Sequence, residues 1–247
     1  MLADTSPLAD TPPLKVTWEK LPDDYVLPDD PVDNTDQPAL AAALTHSLEL
    51  ADRLPENSFV FTNYGICATV NDKLVIKAPD WGYVDAIAVP RTEVNRSYTP
   101  QLQGGTLAIV MEFLSATEGG EYSIKATHPP GKYFFYERVL KVPHYAIFEP
   151  TSGTLELYRL SEAGYRLQPP DENQRYWISE MNLFLGVWQG SRENRTGFWL
   201  RWWDQQGSLL LWGTEQIEQE RQRVQQERQR ADRLAAQLRA AGIEPEI

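Results

Sequence analysis

Three side chains in this sequence, far apart along the chain, are of the types that together hold a cation and steady a developing negative charge: Asp80, Glu112 and Lys132. Glu112 is the charged residue in an otherwise apolar run, Leu107 to Phe113, and such a run reads as a central strand buried on both faces. An ionised carboxylate out of water is costly unless it is paired or bound to metal. Glu112 therefore either sits at a solvated strand end or has company. Asp80 opens the strand-like segment before it, and Lys132 opens the helix-like segment after it. Two carboxylates can grip a divalent ion that one alone binds too loosely, and an ammonium beside them stabilises negative charge.

Several elements must position these groups. A first helix is expected over TDQPALAAALTHSLELADRL, with Asp36 at its cap, Pro38 in its first turn, and Leu40, Leu44, Leu48 and Ala51 on one face. His46 on that helix reads as structural or surface. Short β segments follow from Phe59 to Val89 (FVFT, ICATV, KLVIK, YVDAIAV), with Asn71-Asp72 at a hairpin tip. Asp85 falls on the other side of an alternating strand from Asp80 and is the lesser candidate ligand. Ala116 to Gly131 reads as an irregular loop that leaves Glu118 and Glu121 solvated, with His128 either an ordinary loop residue or turned to substrate. After it come a short aromatic helix burying Phe134, Phe135, Val139 and Leu140, and a hairpin of HYAIFEP with TLELYRL. Tyr176 to Trp212 is dense in tryptophan, and GFWLRWWDQQGSLLLW reads as a hairpin turning at Gln205-Gln206-Gly207. Its indoles are expected in packing, with stacking on bases as the alternative. Arg195 and Arg201, interleaved with them, are candidates for a secondary nucleic-acid contact.

The order Asp, Glu at a strand end, then Lys resembles the PD-(D/E)XK nuclease superfamily, and more narrowly the restriction endonuclease-like family abundant in cyanobacterial genomes. Pro79-Asp80 followed by Trp81 is similar to the family's Pro-Asp, and Glu112-Phe113-Leu114-Ser115 to its strand ending. Lys132 with Tyr136 is similar to its lysine before a helical tyrosine, and Val142-Pro143-His144-Tyr145 to its next strand opening. The resemblance runs from about Asp36 to Trp212. It implies an α/β fold, with a restriction-endonuclease-like mixed central sheet flanked by helices. It also implies a metal-dependent endonuclease that hydrolyses phosphodiester bonds in nucleic acid, using Mg²⁺ with Mn²⁺ as a substitute. DNA is the expected form, although nothing in the sequence separates it from RNA.

In that reading Asp80 and Glu112 hold the metal, the backbone carbonyl of Phe113 supplies a third oxygen, and Lys132 stabilises transition-state charge or orients the attacking water. Two departures stand out. Leu114 occupies the lysine position of Glu-x-Lys, which passes that role to Lys132, and the Ala116–Gly131 connection is longer than usual, which makes Lys125 the rival. Lys132 is preferred, because a helix start held by Tyr136 and Leu140 positions an ammonium better than a Gly-flanked loop. A first-helix carboxylate often joins such sites. Asp36 and Glu49 are the nearby options, each with capping or solvation as the alternative.

The chain divides into an acidic Pro-rich arm (1–35), whose VTWEKLP piece around Trp18 could dock on the core, a core (36–214) and a C-terminal helix (215–247). Hydrophobic content of 42% with 11% aromatics is that of a folded protein. Cys67 has no partner cysteine, which suits a reducing cytoplasm, and neither a signal peptide nor an apolar run long enough to span a bilayer is evident. The net charge of −12 opposes nucleic-acid binding. However, nine acids against two bases lie in residues 1–37 and seven against six in 215–247, so the region between carries only −4. In the C-terminal segment QERQR repeats at a seven-residue spacing, and Ile217, Val224, Ala231 and Leu238 share a heptad position. A coiled coil or a solvated helix of roughly 40 Å fits, ended by Gly242 and Pro245, and a homodimer through it or through the core is a further expectation. Two competing readings are a catalytically degraded nuclease fold acting through its C-terminal helix, and a carbohydrate-binding β module built on the tryptophans.

Overall fold

A computed structural model of the chain describes residues 14–20, 22, 36–114 and 120–242. Most of the N-terminal arm, Ser115, Glu118 and Pro245 lie outside the described residues.

The apolar run is the central strand that its composition demands. The strands in chain order are β1 (Val16–Thr17), β2 (Phe59–Phe61), β3 (Gly65–Val70), β4 (Lys73–Lys77), β5 (Trp81–Val84), β6 (Ser97–Tyr98) and β7 (Leu107–Phe113). They continue with β8 (His144–Glu149), β9 (Thr154–Ser161), β10 (Gly164–Leu167), β11 (Arg175–Ile178), β12 (Leu183–Arg192) and β13 (Arg195–Trp203). The helices are α1 (Asp36–Leu50), α2 (Lys132–Phe134, running straight into a π-helical segment, Phe135–Leu140) and α3 (Gly213–Ala240). β7 is buried at every position and lies inside a six-stranded sheet of order β10-β9-β8-β7-β5-β2. It pairs antiparallel with β5 and parallel with β8, so the sheet is mixed.

Two cores fill the two faces of this sheet. On one face Ile109, Met111 and Phe113 pack with Leu40, Leu44 and Leu48 of α1 and with Leu185, Trp199 and Trp202 of the β11-β12-β13 sheet. On the other, Val110 packs with Phe135, Tyr136 and Val139, and with Ile66, Ala68 and Val75 of the β3-β4 hairpin. The sheet is thus covered by helix plus sheet on each side, rather than by helices alone. Each buried Leu of α1 contributes on the order of 2 kcal/mol, which is how a 15-residue helix is held in place. The Trp81 indole N–H also donates to Thr45 at 3.0 Å, pinning α1 to β5.

The β3–β4 hairpin turns where expected, through Asn71 and Asp72, both with positive φ. Trp18 is half-buried against the second core, and β1 pairs with β3. The chain turns back at 205–207 as expected, with Gly207 N–H bonded to Asp204 O and Leu210 N–H to Trp202 O, but the returning segment makes a single bridge, Trp203 with Leu209, rather than a strand, and the full-length partner of β13 is β12. The expected YVDAIAV strand is shorter too, ending at Val84. α3 has no buried residue and ends with Gly242 in the left-handed region. Among the described residues no helix is long and apolar enough to cross a membrane.

Candidate active site

Side chains alternate along a strand, so Glu112 shares the face of Val110 and looks toward the 132–140 helix. Register brings Asp80 to it: Trp81 of β5 stands opposite Met111 of β7, which sets Asp80, one residue earlier, opposite Glu112. Asp80 Oδ2 accepts the backbone N–H of Phe113 at 2.5 Å, tying its carboxylate to the strand end.

Lys132 arrives from the other side. The loop before it closes through Ser123 N–H to Gly120 O, Gly131 N–H to Lys125 O and Phe134 N–H to Ser123 O. Gly131 permits that closure, since a Cβ there would come within 2.1 Å of the Ser123 carbonyl oxygen. The helix so launched places Lys132 Nζ 2.9 Å from Glu112 Oε2, and Tyr136 donates its hydroxyl to Oε1 at 2.8 Å. Glu112 itself is 1% exposed. Burial pushes its carboxyl up to about 8 against the pull of the Lys132 ammonium, and the charge of Asp80 adds to the rise. At Lys132 burial acts to lower the pKa, but Glu112, Asp80 and Glu121 outweigh it and hold the ammonium charged.

Glu121 is a correction. Instead of being solvated it is buried, with Oε1 4.0 Å from Lys132 Nζ, and Tyr145 donates its hydroxyl to the Glu121 backbone carbonyl at 2.9 Å. The glycines and prolines make the loop fold back on the site rather than stand out in water. Of the loop's other described residues, Lys125 and His128 are exposed, and so is Asp85. The structure therefore brings Asp80, Glu112 and Lys132 together and leaves the rival lysine outside.

The first helix reaches this cluster through neither of its acids. Asp36 pairs with Arg195 at 3.0 Å, and Glu49 is exposed beside a cavity of about 350 Å³ that His46 and Arg192 also line. Gln37 does the work instead: it is buried, and its Nε2–H donates to the Phe113 carbonyl at 2.8 Å. One signal for it was available, because Gln37 lies one turn ahead of Leu40 and Ala41 on the buried face of α1. Arg201 is a second correction. It is fully buried, bonded to Glu215 at 2.6 and 3.1 Å and stacked 3.4 Å from the Trp212 ring centroid, so it is an internal anchor and not a nucleic-acid contact. Trp199, Trp202 and Trp212 are packing residues as expected, and Trp81 is buried with them.

The sequence pattern of one protein family matches residues 22–191, more than half of the chain. The chain belongs to the Uma2 family of putative restriction endonucleases. The Uma2 match spans β5, β7 and the 132–140 helix, and so all three clustered side chains; it stops inside β12, leaving β13 and α3 beyond it. Nothing among curated proteins matches the chain. Uma2 membership makes the protein nuclease-like and its mixed sheet restriction-endonuclease-like.

Uma2 membership also implies a divalent metal, and the donor set fits one. Two carboxylates stand side by side with a backbone carbonyl between them and α1, and three buried or half-buried acids (Asp80, Glu112 and Glu121) surround the ammonium of Lys132. Among the described residues no three Asp, Glu, His or Cys side chains converge into a cage of their own.

Proposed function

We propose that this chain is a metal-dependent nuclease that hydrolyses phosphodiester bonds, with DNA as the first substrate to test. The observation that supports it best is Glu112, a carboxylate held in the core at 1% exposure. Well-packed apolar residues in place of a buried ion pair are often neutral or stabilising, so folding alone does not call for this arrangement.

Asp80, Glu112 and the Phe113 carbonyl are the oxygens that would hold Mg²⁺ or Mn²⁺. Such an ion, once bound, lowers the pKa of its water and offsets charge on the phosphoryl oxygens. The chain's own residues supply the rest. Asp80, bonded to the Phe113 N–H, and Glu112, bonded to Tyr136, are held in fixed rotamers. Gln37 orients the Phe113 carbonyl and leaves its second lone pair for a cation. Lys132, partly exposed at 23%, presents a persistent positive charge to a phosphate oxygen or to the attacking water.

The test is plasmid cleavage with Mg²⁺ or Mn²⁺ by the wild type beside Asp80→Ala, Glu112→Gln and Lys132→Ala. Nicking by the wild type and loss in all three is the expected result. Nicking that all three variants retain would trace to a contaminant and sink the reading. A second reading, recruitment through α3, is favoured by Ile217, Val224, Leu234 and Leu238, each more than a third exposed on that helix. A dimeric solution mass that becomes monomeric on truncation after Gln219, which spares Glu215, would support self-association there; a monomer in both would reject it.

A further inference from the structure

Both oxygens of Glu112 are already committed, Oε2 to Lys132 and Oε1 to Tyr136. If Glu112 is to take up a cation, as the metal-dependent reading requires, the Lys132 ammonium must give way. An ammonium whose side chain is only 23% exposed is poorly served by water and needs another acceptor. Glu121 stands in position for that. Its side chain is 3% exposed, Oε1 lies 4.0 Å from Lys132 Nζ, and Oε2 has no hydrogen-bond partner among the described residues. A shift of the flexible lysine end by about 1 Å would bring it into hydrogen-bond range.

We propose that Glu121 is a positioning residue that receives the Lys132 ammonium when Glu112 turns to a divalent cation. Lys132 is then passed from one carboxylate to the other and stays charged and oriented at the edge of the site, instead of competing with the metal for Glu112. The loop is built for this duty. The Tyr145 hydroxyl holds the Glu121 backbone carbonyl, and the backbone bonds from Ser123 and Gly131 keep Glu121 over the ammonium. The proposal rests on the metal-site reading above and adds to it a residue that neither the Asp80–Glu112 pair nor the lysine accounts for.

A double-mutant cycle tests it, with Mn²⁺ binding to the full chain measured by calorimetry for wild type, Glu121→Gln, Lys132→Met and the double variant, and Asp80→Ala as the site control. Glu121→Gln is expected to weaken Mn²⁺ binding about tenfold, the size of effect seen when an outer partner of a ligand is lost. In the Lys132→Met background the same change is expected to matter less than about twofold, because no ammonium is left to relocate. Glu121→Asp, which keeps the charge, should bind more tightly than Glu121→Gln. Glu121→Ala, which also removes the charge, replaces the Gln variant in the cycle, with the same outcomes, should the latter fail to fold. Wild-type affinity in Glu121→Gln, or an equal loss in both backgrounds, overturns the proposal and leaves the Asp80–Glu112 site standing. Wild-type chain that takes up no Mn²⁺, or uptake that Asp80→Ala does not change, overturns the metal-site reading and this proposal with it.

Discussion

Glu112 and Lys132 are 20 residues apart in the chain and meet at 2.9 Å, the carboxylate at the core end of the pair and the ammonium at its outer end. This arrangement has a signature in pH. Folding raises the Glu112 carboxyl from its ordinary 4.5 to about 8, so the folded chain holds that proton more tightly than the unfolded chain does. The resulting stability is fully present below about 4.5 and is lost as pH rises toward 8. His144, whose pKa burial lowers, acts in the opposite sense over part of that range, so the comparison must be with a variant that removes Glu112 alone. In chelator, the melting temperature of the wild type is expected to fall between pH 5.5 and 8 by about 4–8 °C more than that of Glu112→Gln, equivalent to about 2 kcal/mol in a chain of this size. Parallel pH profiles of the two proteins would show that Glu112 is not a buried carboxylate. Mn²⁺ should reverse the fall, since a ligand of the ionised form stabilises the fold by mass action.

Tyr136 holds the other oxygen of Glu112 and is itself wholly buried, which raises its own hydroxyl well above the ordinary value. Tyr136→Phe removes one donor to the carboxylate and nothing else of its shape. Glu112 should then titrate still higher, and the chelated protein should lose about 1–3 kcal/mol at pH 8 and less at pH 5.5. Urea unfolding at the two pH values checks this, and an equal loss at both would contradict it.

Gln37 joins α1 to the strand end through the Phe113 carbonyl. Gln37→Leu leaves that carbonyl, which is buried with its strand, without its side-chain donor, at a cost of about 1–3 kcal/mol. It should also weaken Mn²⁺ binding, because the carbonyl is no longer held in orientation. Urea midpoints give the first quantity and calorimetry the second; a variant unchanged in both would remove Gln37 from the site.

Much of this arrangement was legible in the sequence, for identifiable reasons. The apolar run around Glu112 admits few structures besides a central strand, and Pro79-Asp80 ahead of a strand-like segment put the second carboxylate at a strand start. Antiparallel register then makes Asp80 and Glu112 neighbours. Residues whose role depends on what arrives from elsewhere were harder. Glu121 sits among glycines and prolines, a composition that speaks of water, and the backbone bonds of its loop with the Tyr145 hydroxyl turn it inward. Arg201 alternates with tryptophans as a nucleic-acid contact would, yet the guanidinium is internal, bonded to Glu215 of α3 and stacked on Trp212, partners that lie beyond the strand and cannot be read from its alternation. Asp36 and Glu49 are the acids of α1, while the buried polar residue of that helix that reaches the strand end is an amide, Gln37.

The last prediction concerns how α3 is anchored. Arg201 is fully buried, and its charge is met by Glu215, whose side chain is 29% exposed. Removing one partner of a buried pair leaves the other uncompensated, typically at 3–5 kcal/mol. Solvent at Glu215 and the Trp212 ring under the guanidinium reduce that, so Glu215→Gln is expected to cost about 2–3 kcal/mol. Glu220, three residues before Arg223 and paired with it on the open surface of the same helix, provides the contrast. Glu220→Gln should leave the urea midpoint where it is, since exposed pairs contribute little. Equal effects from the two substitutions would mean that α3 is not fastened at Arg201, and a smaller loss for the Arg201→Met, Glu215→Leu double variant than for Glu215→Gln alone would show that the penalty comes from the stranded charge.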